Sequence, residues 1–283
     1  MATKKAAWAA FPGKSTAFDF DGGKLQKSWD GLHVGDGEPY PDGKRAESLL
    51  KAAGKSAPDL DAKQLAEHLQ DAWRAFHSGE FQQAYELGIG LGPIGSSVAC
   101  KALGIHTTYL VKTQADRLER FQQVAELAET AMKVLPKEAN SHYRMAFGNG
   151  RYSQGISITK ALSLGIAGKV KVALDTCLKL NPKHAEAHLA SALWHAEILS
   201  KVGTMIGGLT YGAKRKQAEE HMKAALKLAP KMPIVHVENA QLLLLLDPDN
   251  EQEAADAFER ATLLKPLDAM DYLDARFAQE QIS

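Results

Sequence analysis

A spacing of proline, histidine and alanine that occurs three times constrains the fold of this chain more than any other feature of its sequence. The three copies follow Pro-x5-His-x3-Ala and lie at Pro136/His142/Ala146, Pro182/His188/Ala192 and Pro230/His236/Ala240. A histidine and an alanine four residues apart share one face of a helix, whereas a proline inside a helix would break it. Each copy therefore predicts a helix that follows a turn marked by proline.

A second pattern leads into these three prolines and into Pro266. Two apolar residues four positions apart are followed by a small residue three positions later and by the proline five positions after that. The four copies are Val124/Ala128/Ala131/Pro136, Val170/Leu174/Cys177/Pro182, Ala218/Met222/Ala225/Pro230 and Ala254/Phe258/Ala261/Pro266. Steps of three and four place these side chains on one stripe of a helix, so the two patterns together predict recurring helical hairpins.

Recurrence at tens of residues is typical of stacked repeats, in which each unit buries its apolar face against its neighbours. We expect an all-α fold, an α-solenoid of about five antiparallel helical hairpins, in residues 46–283. The hairpins are predicted at about 62–92, 94–135, 139–181, 184–229 and 233–265, followed by a capping helix at 268–281.

Residues 1–45, which we call the N-terminal arm, have a different composition. Glycine, proline and aspartate recur there, and these residues favour turns and extended chain over helix. The arm also carries large aromatic residues, including Trp8, Phe11, Phe18, Phe20 and Trp29. A freely solvated tail would have little use for them. We expect an extended arm that packs either into a groove of its own chain or into that of a second copy.

Several segments resemble tetratricopeptide repeats. The resemblance is carried by the spacing of Gly79, Phe81 and Ala84 and by the segments LKLNPKHAEAHLASALW and LKLAPKMPIVHVENAQL, and it covers residues 62–281. That family repeats every 34 residues, whereas the prolines here are separated by 46, 48 and 36 residues. Two hairpins are therefore lengthened by glycine-rich, apolar insertions at Tyr152 to Gly168 and Val202 to Ala213. The sequence leaves open whether these insertions are loops or helices.

Residues 139–230 also resemble, more weakly, the repeat region of the regulator-of-microtubule-dynamics family. The lengthened pair of hairpins carries this second resemblance. We transfer no functional residues from that family to this chain.

Composition argues against several classes of function. Lys plus Arg and Asp plus Glu are equal at 34 each, so no excess charge favours nucleic acid. The two cysteines, Cys100 and Cys177, lie in apolar helical patterns and are expected to be reduced thiols of an intracellular protein. The apolar stretch near the start is too short for a secretory signal or a membrane span. We expect a cytoplasmic protein without membrane insertion.

The motifs that could carry chemistry are weak. Gly90, Gly92 and Gly95 have the spacing of a dinucleotide-binding loop, but the residues before them predict a helix where that loop needs a strand. His184, His188 and His195 lie roughly on one helical face, yet the repetition of histidine in register favours a packing role over a metal site. No nucleophile motif is present. We therefore predict no enzyme, no cofactor and no metal.

The resemblance to tetratricopeptide repeats implies a concave groove lined by the first helix of each hairpin. The positions that would face this groove are Trp73, Phe76, Tyr143, Phe147, Arg151, Leu189, Leu193, Val237 and Leu244. These residues are mostly apolar, and an exposed apolar face normally marks a binding site. We predict a non-catalytic scaffold that docks a protein or peptide partner there, with homo-oligomerisation through the arm as one form of docking.

An alternative is that the two insertions roof a cavity for a small hydrophobic ligand. Ligand pockets are concave and mostly apolar, with few polar groups that fix orientation. Arg151, Tyr152 and Tyr211 would be the polar anchors of such a cavity.

Overall fold

The computed structural model describes residues 8–14 and 17–283, and in these residues it contains helices but no strands. The helices, numbered in chain order, are α1 Lys24–Leu32, α2 Gly43–Ala53, α3 Ala62–His77, α4 Phe81–Gly90, α5 Ser96–Leu110, α6 Gln114–Val134, α7 Ala139–Gln154, α8 Ile158–Ser163, α9 Ile166–Leu180, α10 Ala185–Val202, α11 Thr204–Ile206, α12 Arg215–Leu228, α13 Pro233–Leu246, α14 Glu251–Leu263 and α15 Ala269–Gln281. The prediction of an all-helical chain is confirmed over these residues.

Neighbouring helices pack in pairs along the chain. The five pairs are α3/α4, α5/α6, α7/α9, α10/α12 and α13/α14, and their ends lie within two residues of the predicted hairpin boundaries. Leu174, Ala225 and Phe258, which belong to the apolar stripes before the prolines, are buried as expected.

The repeated histidine closes the turn that its proline begins. The ring Nε2 of His142 donates to the carbonyl oxygen of Pro136 at 2.9 Å. The same bond joins His188 to Pro182 at 3.1 Å and His236 to Pro230 at 2.8 Å. A carbonyl ahead of a helix needs a partner because no helical N–H reaches it. The histidines therefore have the structural role that their repetition predicts.

The two insertions are short helical segments. The first contains α8, capped by Ser157, and Gly165 in the left-handed conformation leads from it into α9. The second contains α11 and one turn of π-helix at Gly207–Tyr211. Both insertions expose apolar side chains, including Leu162 and Leu209.

The last helix packs against both ends of the chain. α15 contacts its neighbours α14 and α13, but it also contacts α3 and α5. His77 Nδ1 of α3 lies 2.6 Å from Asp268 Oδ2 at the start of α15, and Tyr109 of α5 bonds to Asp274. In a linear stack each unit touches only its neighbours, so these contacts go beyond the predicted capping role.

The arm differs from the extended chain that we predicted. It contains helix α1, and α2 begins at Gly43 within it. Leu25, Trp29 and Leu32 recur at steps of four and three along α1, and all three are buried. The glycine-rich residues on either side of this short apolar stripe dominate the composition of the arm, so composition alone does not reveal the helix. The aromatic residues Trp8, Phe11, Phe18, Phe20 and Trp29 pack on the main core, so the arm packs into its own chain; residues 1–7, 15 and 16 lie outside the described part.

Candidate functional site

A partly enclosed cavity of about 240 Å³ lies between α5, α7, α10, α13, the two insertions and α15. Its walls are largely apolar. They include Ile105, Phe147, Ile156, Ile158, Leu162, Leu189, Leu193, Trp194, Ile198, Tyr211, Met232 and Met270. Exposed residues of α8 and of the end of α10, among them Ile158 and Lys201, surround its mouth.

The insertions supply one side of this cavity. Ile156, Ile158 and Leu162 come from the first insertion, and Val202 and Tyr211 come from the second. A hairpin of the ordinary length would lack these side chains, so the extra residues of the third and fourth hairpins wall the space. The opposite side is supplied by Met270 and Asp274 of α15.

Four polar side chains converge at the inner end of the cavity. Arg151 Nη2 donates to Glu238 Oε1 at 2.8 Å, and the hydroxyl of Tyr109 donates to Asp274 Oδ1. Within the described residues, the second carboxyl oxygens, Glu238 Oε2 and Asp274 Oδ2, have no hydrogen-bond partner. Both residues are buried, with 5% and 1% of their surface exposed. Buried polar atoms without a partner are rare in native proteins, and each one needs an explanation.

Burial also changes the acidity of these carboxyls. It raises the pKa of Asp274 well above its usual range, and nearby Asp271, Asp268 and Glu238 add to this, while the Tyr109 hydroxyl opposes it. The pKa of Glu238 is raised by burial, and Arg151 opposes that shift. A raised carboxyl pKa in a cleft is a mark of candidate functional sites.

A buried charge network lies beside the cavity and ties the arm to the repeats. Asp36 Oδ2 of the arm accepts from Lys101 Nζ at 2.6 Å and from Arg144 Nη2 at 2.7 Å. Glu186 bonds to the same two cations, at 3.1 Å to Lys101 and 3.3 Å to Arg144. The two positive and two negative groups balance in charge, although Arg144 Nε, which is also buried, has no hydrogen-bond partner among the described residues.

The nine residues predicted to form a groove fall into separate environments. Tyr143, Phe147, Arg151, Leu189 and Leu193 line the cavity. Trp73 and Phe76 are buried in the core with Phe20 and Trp29 of the arm, and Val237 is buried among helices near the end of the chain. Leu244 is 38% exposed and does not line the cavity. Of the predicted polar anchors, Arg151 and Tyr211 line the cavity, whereas Tyr152 is buried in the adjoining core.

Of the four polar residues at the inner end of the cavity, three were not predicted from the sequence. Tyr109 gives no signal, because nothing in the sequence brings α5 to α15. Glu238 could have been found, since it is the one acidic or basic residue of α13. Asp274 follows Asp268 and Asp271 at steps of three, a spacing that shares one helix face.

The glycine motif and the histidines that were considered as candidate sites contact other parts of the chain. Gly95 lies at the end of a short 3-10 turn, where a side chain would clash with the carbonyl oxygen of Gly88. His184 bonds to Asn140, and His188 Nδ1 lies 2.9 Å from His221 Nδ1. Over residues 8–14 and 17–283, no group of three His, Cys, Asp or Glu side chains is arranged to hold a metal ion.

A scan against protein-family models finds no match, and a search of curated proteins finds no matching sequence. Across the described part of the chain, none of the helices combines the length and the apolar character needed to cross a membrane.

Proposed function

We propose that this protein binds a small, largely apolar molecule in the cavity between its two insertions and α15. The single observation that carries this proposal is the combination of apolar walls with two buried carboxyl oxygens that lack partners. A mostly apolar cavity with a few convergent polar groups is the usual form of a small-molecule site.

The cavity is too large to be an ordinary packing defect. Protein interiors are packed as densely as organic crystals and contain few voids larger than a water molecule. An apolar cavity of about 150 Å³ is already known to bind benzene or xenon. A cavity of 240 Å³ with an open mouth is therefore suited to a ligand larger than these.

Small-molecule binding can be tested with the neutral dye Nile red, whose fluorescence rises in apolar surroundings. Leu193→Trp adds bulk inside the cavity and is expected to abolish the rise. Leu244→Trp makes the same change outside the cavity and should leave the rise intact. Extraction of the purified protein followed by mass spectrometry would identify a ligand that is carried along. Equal dye binding by both variants would overturn the proposal.

A protein partner is the second candidate function, and exposed apolar side chains of the second insertion favour it. Met205 is 74% exposed and Leu209 is 85% exposed, and clusters of exposed apolar residues often mark interaction surfaces. Replacing both residues by serine should abolish binding of a protein partner while leaving the Nile red signal unchanged. The predicted groove around Trp73 offers less, because the arm already covers it.

A further inference from the structure

We propose that the polar end of the ligand is an amine, bound as an ammonium group between Asp274 and Glu238. This inference rests on the proposed function, because it assigns a ligand class to the same cavity. It draws on two features of the inner end, the balance of buried charges and the two unpartnered oxygens.

The charges around the cavity leave one carboxyl without a cation. Lys101 and Arg144 are balanced by Asp36 and Glu186. Two further pairs, Arg151 with Glu238 at 2.8 Å and Lys201 with Glu197 at 3.2 Å, are also balanced. Asp274 remains, and its one hydrogen-bond partner among the described residues is the neutral Tyr109 hydroxyl.

The surroundings of Asp274 are acidic rather than basic. Asp271 and Asp268 of its own helix and Glu238 of α13 all act on its carboxyl, and each of them raises the pKa of Asp274. In the described residues, no lysine, arginine or histidine lies within ion-pair distance of Asp274, and Arg151, which lines the same cavity, is bonded to Glu238. A bound cation would complete this site.

The free oxygens indicate which hydrogen-bond donors a bound group would have to supply. Glu238 Oε2 and Asp274 Oδ2 both lack a partner and belong to residues that line the same cavity. An ammonium group has three donors and no acceptor. It can therefore donate to a carboxyl oxygen of either residue, and its positive charge would favour the ionised form of Asp274; charge-assisted bonds of this kind are about twice as strong as neutral ones.

Other polar groups fit less well. An alcohol has one donor and carries no charge, so it can satisfy one oxygen only. A carboxylate would bring a negative charge to buried carboxyls whose neighbouring cations are already paired, which is unfavourable. The apolar walls from the insertions would then hold the hydrocarbon part of the amine.

Three probes of equal chain length test this assignment: decylamine, decanol and decanoate. Each is titrated against the full-length protein loaded with Nile red, at concentrations where circular dichroism shows no loss of helix. Decylamine is expected to displace the dye at a concentration about tenfold or more below that of decanol, because the charge-assisted bonds favour it. Decanoate should be the weakest of the three.

Variants then show which carboxyl is responsible for the preference for decylamine over decanol. Asp274→Asn keeps the size of the side chain and its bond with Tyr109, and it should reduce the advantage of decylamine over decanol about tenfold while leaving decanol unchanged. Glu238→Gln tests the contribution of Glu238 Oε2 in the same way. It also provides the test if Asp274→Asn does not fold. Glu197→Gln is the matched control, because Glu197 also lines the cavity but is bonded to Gln154 and Lys201.

The outcomes separate the two proposals. If decanol or decanoate displaces the dye as well as decylamine does, the amine assignment is wrong and the cavity remains a binding site. An amine preference that survives both Asp274→Asn and Glu238→Gln would also refute the assignment. If Nile red does not bind in the cavity at all, the proposed function itself fails.

Discussion

The region under the arm and the region under the insertions are built from the same kind of helix but end in different states. Trp73 and Phe76 of α3 are covered by Phe20 and Trp29, and the nearby cations are neutralised by Asp36. On α7, Phe147 faces an open cavity, and the polar groups at its inner end keep two oxygens without partners. The comparison teaches that an apolar wall becomes core where another segment covers it, and a candidate site where it borders open space and a carboxyl that has no cation beside it.

The largest effect on stability is expected from breaking the charge network in the region under the arm. Asp36→Ala leaves Lys101 and Arg144 with Glu186 alone in a buried setting. Removing one partner of a buried ion pair costs about 3–5 kcal/mol. Urea unfolding should show a loss of this size, and the control Asp30→Ala, which changes an exposed aspartate of α1, should be nearly neutral. A loss below about 1 kcal/mol would mean that the network does not hold the arm in place.

Truncating one large apolar side chain in each region sharpens the contrast. Trp29→Ala should cost about 3–5 kcal/mol, because Trp29 is buried and makes edge-to-face contacts with several aromatic neighbours. Leu193→Ala should cost about 2 kcal/mol or less, at the lower limit for leucine, because one side of Leu193 faces the cavity and loses no packing there. Chemical denaturation of the two variants measures both losses. Equal costs would indicate that the cavity wall is packed as tightly as the core.

The sequence predicts the paired helices better than it predicts the polar groups of the cavity. The proline and histidine spacings predict the paired helices and the structural role of His142, because these features depend on local periodicity and on a bond within six residues. The insertions were recognised as possible walls of a cavity from their extra length. The pairing of Tyr109 with Asp274 could not be predicted, since it joins residues 165 positions apart. It depends on α15 returning to α5, which repeat periodicity does not encode.

The nine residues predicted to form a groove do not line one continuous surface, and the reason is related. Spacing within each hairpin identifies Trp73 and Leu193 as equivalent positions. It contains no information about the arm, which covers one of them and leaves the other beside a cavity. The aromatic content of the arm indicated that it packs, but composition could not say where.

A further prediction concerns the carboxyls of α15 and depends on pH. Burial, followed by the neighbouring Asp268, raises the pKa of Asp271 to about 8, and the backbone N–H of Leu267 opposes this shift. In the unfolded chain the same carboxyl titrates near 3.9. Between these two values the folded protein keeps a proton that the unfolded chain releases. Stability is therefore lost progressively as the pH rises through this window, and the loss is complete above it.

Asp271→Asn should remove this dependence, because the amide oxygen can still accept from Leu267 and carries no charge. The melting temperature of the variant should match that of the parent protein near pH 4 and exceed it by several degrees near pH 8. Asp256→Asn, on an exposed position of α14, is the control and should show no such divergence. A difference that stays constant with pH would mean that Asp271 is ionised in the folded protein. The α15 wall would then tolerate buried negative charge without a ligand, which would weaken the contrast between the two regions.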